Sequence, residues 1–388
     1  MKKYNMLVAH GGGPTAVINS SLQGVIEEAM KQNEINNIYG ARFGIEGILA
    51  ENFINLGTLP AQKISALGTT PSSAIGSCRR KLTDSDLPLI FDIFRRNDIR
   101  YFLYNGGNDS MDSCDKISRI AEESGYELNV IGIPKTIDND LELTDHSPGY
   151  GSAARYIAVS LMELACDVES LPIHVCIAEV MGRNAGWLAA AASFAVTPGR
   201  GPHLIYLPER VFNQSEFLED VQQLYREKKG VLVVVSEGLR DSSGKLICDS
   251  GISDGFGHRV PGGTAQTLSK LVIEELGIPS RSEKPGLLGR ASIAHQSAID
   301  RREAYEVGSF AVKSAVKGHS GYMVSLERLD MDEYKCTLKL VPLDKVANKE
   351  KKFPLEWINK RGNGIIKEEF EPYALPLLGQ PLPEYVSL

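Results

Sequence analysis

Short apolar runs alternate along this chain with longer stretches of helical periodicity, and that alternation limits the possible folds more than any other feature. The runs NMLVAH, IRYFLYN, IHVCIAEVM and VLVVVSEG read as buried strands. Between and after them, AVINSSLQGVIEEAMKQ, SMDSCDKISRIAEESG, NAGWLAAAASFAV and GGTAQTLSKLVIEELG read as helices. A further pair is GLLGRASIAH as strand and IDRREAYEVGSFAVKSAVKG as helix. Strands separated by helices imply mainly parallel sheets covered on both faces, an α/β class of three-layer units. In such sheets ligands bind beyond the carboxyl ends of the strands.

With 388 residues the chain exceeds what one ordinary core fills, so two domains are expected. A Gly-, Ser- and Pro-rich break from Asp145 to Tyr156 marks the crossing into the second. The expected division is residues 1–149 with about 298–340, then 150–297, and a polar, proline-rich tail over 341–388 that wraps the surface. The net charge of −7 argues against nucleic acid or an anionic membrane as partner. The six cysteines are scattered without metal spacing and read as free thiols of a reducing cytoplasm. The basic start has only a short apolar run before its glycines, so neither a signal peptide nor a membrane span is expected.

Four clusters stand at strand ends: GGGPTAVIN (Gly11–Asn19), GGNDS (Gly106–Ser110), PKTIDND (Pro134–Asp140) and MGRNAG (Met181–Gly186). Glycine turns there let phosphates approach backbone N–H groups. Neither GxxxxGK[ST] nor a GxGxxG after the first strand is present, so the common nucleotide-binding turns do not account for them. In PKTIDND, Asp138 and Asp140 would share a face if the segment were extended, one serving as general base and the other orienting a cation or the backbone. Lys135 adds a positive charge suited to phosphate oxygens. His10, His203, His258, His295 and His319 are isolated and read as hydrogen-bonded or surface groups, and Trp187 reads as core.

Together the clusters resemble the phosphofructokinase family, in family order, across about the first 320 residues. TTPSSAIGSCR (Thr69–Arg79), SEG (Ser236–Gly238) and LLGRASIAHQSAIDRREAYEVG belong to the same set. The resemblance implies two Rossmann-like domains and transfer of a phosphoryl group to the 1-hydroxyl of fructose 6-phosphate. It casts Asp138 as the base, with Thr136, Ile137 and Asp138 lining the sugar. Met181, Gly182 and Arg183 match the sugar-phosphate loop, with Glu237 and Arg290 as further sugar contacts. Gly12, Gly13, Arg79 and Gly107 would face the donor.

Where ATP-using members read GGDGS this chain has Asp109, whose carboxylate would oppose an α-phosphate by bulk and charge; where they read PGTIDND it has Lys135. These two residues are similar to the pyrophosphate-dependent branch, which implies a reversible reaction of glycolysis and gluconeogenesis, Mg²⁺ as cofactor and a homodimer or homotetramer. Asn108 replaces the family's usual magnesium-ligating aspartate, and an amide oxygen also coordinates Mg²⁺. His174 replaces an arginine that, in bacterial ATP enzymes, reaches the neighbouring subunit's sugar site. The competing readings are an ATP-dependent kinase, a non-catalytic sugar-phosphate sensor, and use of a relative such as sedoheptulose 7-phosphate.

Overall fold

Along the strand Tyr4–His10, Met6 and Val8 enter one apolar core while Leu7 and Ala9 enter another, because successive side chains of a strand leave on opposite faces. Ile99–Gly106 repeats this, with Tyr101 and Leu103 on the first side and Phe102 and Tyr104 on the second. The computed structural model describes residues 2–197, 199–253, 259–330 and 333–386. These form two α/β units, Met1–Tyr150 with Ala298–Glu350, and Gly151–Ser297 with Lys351–Leu388.

The first unit holds a seven-stranded sheet in the order Lys335–Pro342, Tyr322–Asp330, Asn129–Pro134, Ile99–Gly106, Tyr4–His10, Ile35–Ala41, Phe53–Asn55. Its inner five strands are parallel and the outermost strand at each edge is antiparallel. After Tyr4–His10 the chain moves first to one side and then to the other, so the strand order reverses beside His10 and Gly106. That reversal opens a crevice at the carboxyl ends where the first two glycine clusters lie. On one face, helix Ile18–Ala29 packs against helix Ala298–Val316 so closely that a Cβ on Gly24 would stand 2.1 Å from the Tyr305 carbonyl oxygen, and one on Gly308 2.1 Å from that of Ser21. Only glycine permits that backbone approach.

The second unit has a four-stranded parallel sheet in the order Ser280–Glu283, Val175–Val180, Val231–Ser236, Leu204–Tyr206. Its order reverses between Val175–Val180 and Val231–Ser236, whose ends carry Met181 and Glu237. Residues 351–378 also belong here: Trp187, Phe353, Trp357, Phe370 and Tyr373 form an aromatic cluster with Trp187–Phe353 centroids 5.1 Å apart. Among the described residues no helix is long and apolar enough to cross a membrane, and the six cysteines are free thiols.

Two elements differ from the sequence reading. GLLGRASIAH is not a strand; it holds one helical turn, Leu288–Ala291, with Leu287 and Leu288 largely exposed. Its apolar residues have no sheet neighbour, because Ser280–Glu283 takes the edge beside Val175–Val180. NAGWLAAAASFAV is a single α turn, Trp187–Ala190, that tightens into a 3₁₀ helix, Ala191–Ala195. Every one of those nine residues is buried, so packing rather than propensity sets its winding.

Candidate active site

In the first unit the strand ends bring three of the four clusters together. Gly11 N–H donates to the Asn105 carbonyl (2.9 Å) and Gly12 N–H to that of Cys78 (3.0 Å), while Ser77 Oγ donates to the Gly12 carbonyl (2.7 Å). The Thr69–Arg79 segment therefore lies along the first glycine turn. Asn19 fixes its other end, donating to the Thr70 and Ser72 carbonyls (2.8 Å each) and accepting from Ala74 N–H (2.8 Å). Arg79 follows at the exposed rim.

Lys135 is 3% exposed, and its ammonium donates to the Gly13 carbonyl at 2.7 Å. A cation from the third cluster thus stands at the first glycine turn. His10 beneath it is fully buried and bonded to Ser73 Oγ (2.7 Å); burial, then the Lys135 charge, lower its pKa to about 3. It is a neutral imidazole.

Gly107 caps helix Asn108–Glu123, placing Asp109 in the first turn, where N–H groups favour a carboxylate. Asn108 Nδ2 donates to Asp140 Oδ2 (3.1 Å). The other oxygens of this pair, Asn108 Oδ1 and Asp140 Oδ1, are buried and have no hydrogen-bond partner. Burial first, then Glu350, raise the Asp140 pKa. Two inward, unsatisfied oxygens suit a hard divalent cation, which binds such donors and offsets the cost of burying a carboxylate.

The PKTIDND segment is not extended, which corrects the expectation that Asp138 and Asp140 share a face. Asn139 adopts φ +55°, and Asp138 N–H bonds back to Thr136 Oγ1 (3.1 Å) in a side-chain turn. Asp140 joins Asn108, and Asp138 is half-buried. Thr136 and Ile137 are buried around it. Asn139 Oδ1 accepts from Ser147 N–H (3.0 Å), and Thr136 N–H donates to the Pro148 carbonyl (3.2 Å).

The Thr144–Gly149 stretch that buttresses this turn is anchored by His146, which sequence reasoning missed. His146 lies between Asp145 (2.8 Å) and Glu303 (2.7 Å). Arg328 pairs with Asp145 (3.0 Å), and Tyr334 donates to Glu303 (2.6 Å). Asp300 Oδ1 accepts from Gly149 N–H (2.8 Å). Burial opposes the imidazolium, but Glu303 and Asp145 outweigh it and raise its pKa to about 9. Burial likewise opposes the Asp145 carboxylate, but His146 and Arg328 bring it down to about 2. For His146 the folded value lies above the ordinary 6.5, so its stabilisation is complete below pH 6.5 and disappears as pH rises through about 9. We expect thermal unfolding to show a loss on the order of 3 kcal/mol over that span, and His146→Gln to flatten it; a wild-type midpoint unchanged between pH 6.5 and 9 would refute the charged network.

In the second unit Gly182 has φ +134°, and a Cβ there would stand 2.6 Å from the Ala185 carbonyl oxygen. Its N–H faces Glu237 Oε1 (3.4 Å), and its carbonyl accepts from Ser236 Oγ. Glu237 N–H donates to the Val180 carbonyl (3.0 Å), which sets the two strand ends side by side. Burial raises the Glu237 pKa, opposed by Gly182 N–H, Lys284 and Arg183. Met181 and Arg183 are half-buried beside it, and Arg290 stands on the separate turn Leu288–Ala291. His174 lies at the amino end of strand Val175–Val180, opposite Met181, its pKa lowered by burial and by Arg281.

The isolated histidines have local partners: His203 Nδ1 accepts from Leu232 N–H, His295 meets Ser292, and His319 lies at the surface against Tyr322. His258 falls outside the described residues. Trp187 is buried.

Comparison with known proteins places this geometry. The family model described as phosphofructokinase matches residues 5–315. A pyrophosphate–fructose 6-phosphate 1-phosphotransferase of Xanthomonas campestris pv. campestris (strain B100) is 42% identical, over 100% of this chain and 97% of the relative. One of Halomonas elongata is 40% identical over 99% of this chain and 94% of the relative. A solved pyrophosphate-dependent phosphofructokinase from Nitrosospira multiformis superposes with a TM-score of 0.89 at 40% identity, covering 99% of this chain and 94% of that one. A match of that extent means that the chain belongs to the phosphofructokinase family.

Proposed function

We infer that the protein is a pyrophosphate-dependent 6-phosphofructokinase, transferring a phosphoryl group from pyrophosphate to the 1-hydroxyl of fructose 6-phosphate. The observation that carries the donor assignment is the buried Lys135 ammonium at the Gly13 carbonyl, in a chain that also has Asp109 after the second glycine turn. Phosphoryl transfer depends on positioning and charge neutralisation, and a buried cation at a glycine turn is suited to a compact polyanion. The relatives and the solved neighbour carry the same activity in their names.

In this reading Asp138 takes the hydroxyl proton, and Gly12, Gly13, Arg79 and Gly107 hold the donor. Thr136, Ile137, Met181, Gly182, Arg183, Glu237 and Arg290 receive the sugar phosphate. Asn108 and Asp140 would hold Mg²⁺ through their unsatisfied oxygens. When bound, Mg²⁺ supplies charge neutralisation on the donor oxygens. The protein is read as a cytoplasmic homo-oligomer, and phosphate and fructose 1,6-bisphosphate as the substrates of the reverse reaction.

The test is a steady-state assay with fructose 6-phosphate and Mg²⁺, run with pyrophosphate and with ATP. Turnover with pyrophosphate alone, abolished by chelating Mg²⁺, is the expected result. Turnover with ATP alone would overturn the donor assignment, and silence with both would favour a sensor or another sugar.

A further inference from the structure

Glu209 follows the strand Leu204–Tyr206, outside the residues assigned to the sugar phosphate. Its carboxylate holds two distant stretches of backbone at once. Oε1 accepts from Gly186 N–H (2.8 Å), at the end of the Met181–Gly186 loop, and from Phe353 N–H (3.0 Å), in the C-terminal segment. Oε2 is buried with no hydrogen-bond partner and would stand 2.7 Å from a Cβ on Gly186, so the loop has closed onto the carboxylate. Two flanking bonds tie the same stretches: Lys352 Nζ donates to the Asn184 carbonyl (2.8 Å), and Trp187 Nε1 to that of Lys351 (3.1 Å). Arg183, Glu209, Arg240 and Lys352 line a cavity of about 290 Å³ at this junction.

Gly186 is three residues from Arg183, and Gly182 at the other end of the loop is held by Ser236. With both ends fixed, the guanidinium stem between them starts from a defined place. We propose that Glu209 is a positioning residue for sugar-phosphate binding, clamping the C-terminal segment Lys351–Phe353 onto the Met181–Gly186 loop and thereby setting Arg183. The C-terminal segment lies beyond the stretch 5–315 matched by the family model, so this gives it a part in substrate recognition. The inference rests on the reading of Arg183 as a sugar-phosphate contact.

The test compares Glu209→Ala, Glu209→Gln and Lys352→Ala with the wild-type full chain. Glu209→Ala removes the acceptor of both bonds and is expected to raise KM for fructose 6-phosphate about tenfold, the charge-assisted bond to the loop at Gly186 being worth roughly that factor, with KM for pyrophosphate unchanged. Glu209→Gln keeps a carbonyl oxygen for both N–H groups and should recover most of the loss. Lys352 is exposed, so Lys352→Ala tests the clamp without disturbing the core, with a smaller rise in the same constant expected. Hydrogen exchange over Met181–Trp187, read without substrate, should quicken in Glu209→Ala and return towards wild type in Glu209→Gln. Unchanged exchange, or equal changes in both KM values, would overturn the clamp. Should Glu209→Ala fail to fold, the Lys352→Ala constants decide alone. A wild-type enzyme inactive on fructose 6-phosphate would instead overturn the assigned function, while exchange still judged the clamp.

Discussion

Replacing Asp138 with alanine is expected to lower turnover by ~10²–10⁴, the usual contribution of a positioned general base, while fructose 6-phosphate still binds in calorimetry. Several bonds that hold the loop do not involve the Asp138 side chain. The turn is made by Asp138 N–H on Thr136 Oγ1, by Asn139 at φ +55° and by Asn139 Oδ1 on Ser147 N–H. All of these persist in the variant. A loss of rate with an unchanged unfolding midpoint and retained sugar binding is therefore a chemical loss. Turnover near wild type would remove Asp138 as the base, and loss of sugar binding together with rate would recast it as a binding residue.

The paired change Asp109→Gly with Lys135→Gly is expected to cut pyrophosphate kcat/KM by ~10²–10³, the scale on which a preorganised charge acts on transferring phosphoryl groups, and to admit measurable turnover with ATP. Two separate effects meet here. Removing Lys135 takes a buried ammonium from beside the Gly13 carbonyl, so the compact donor loses its partner cation. Removing Asp109 relieves a like charge: two unit charges about 4 Å apart at an effective dielectric of 20 repel by ~4 kcal/mol. The backbone bond from Lys135 N–H to the Gly106 carbonyl (3.1 Å) does not depend on the side chain, so the strand ends stay joined. Pyrophosphate kinetics that did not move in the double variant would leave the two residues without a part in donor choice.

The parts of this fold that the sequence exposes are those whose side chains carry the signal. Tyr4–His10, Ile99–Gly106, Val175–Val180 and Val231–Ser236 are central strands buried on both faces, so their apolar runs are legible, and the glycine turns after them mark the carboxyl ends. Ser280–Glu283 carries no such signal. It is an edge strand whose backbone pairs with Val175–Ala178 while three of its four side chains are exposed. The apolar run GLLGRASIAH, shortly after it, drew the strand assignment instead. The positive charge of Lys135 is legible in one local string, but its reach to Gly13 spans 122 residues and exists only in the folded chain. The bond between Asp140 and Asn108 is likewise a long-range pairing of two residues each marked in sequence, whereas Glu209, the partner of Gly186 and Phe353, looks ordinary there. His146 is the clearest case, since a histidine between Asp145 and Ser147 shows nothing of Glu303 or Tyr334.

His146 and Glu303 are 157 residues apart in the chain, and all of Gly151–Ser297 is synthesised between them. The helix Ala298–Val316 and the strands Tyr322–Asp330 and Lys335–Pro342 therefore reach the first unit only after the second unit's main stretch has left the ribosome. At ~5–20 residues per second, that interval is on the order of ten seconds or more. Throughout it, the nascent first unit has an open edge at Asn129–Pro134 and a bare apolar face where Gly24 awaits Tyr305. The Thr144–Gly149 stretch behind the Asp138 turn lacks its anchors Asp300, Glu303 and Arg328 for the same interval. Anchoring of the Asp138 turn thus waits until the chain beyond Ala298 has been made, and an early-terminated chain ending before Ala298 presents an unpaired strand edge to other chains.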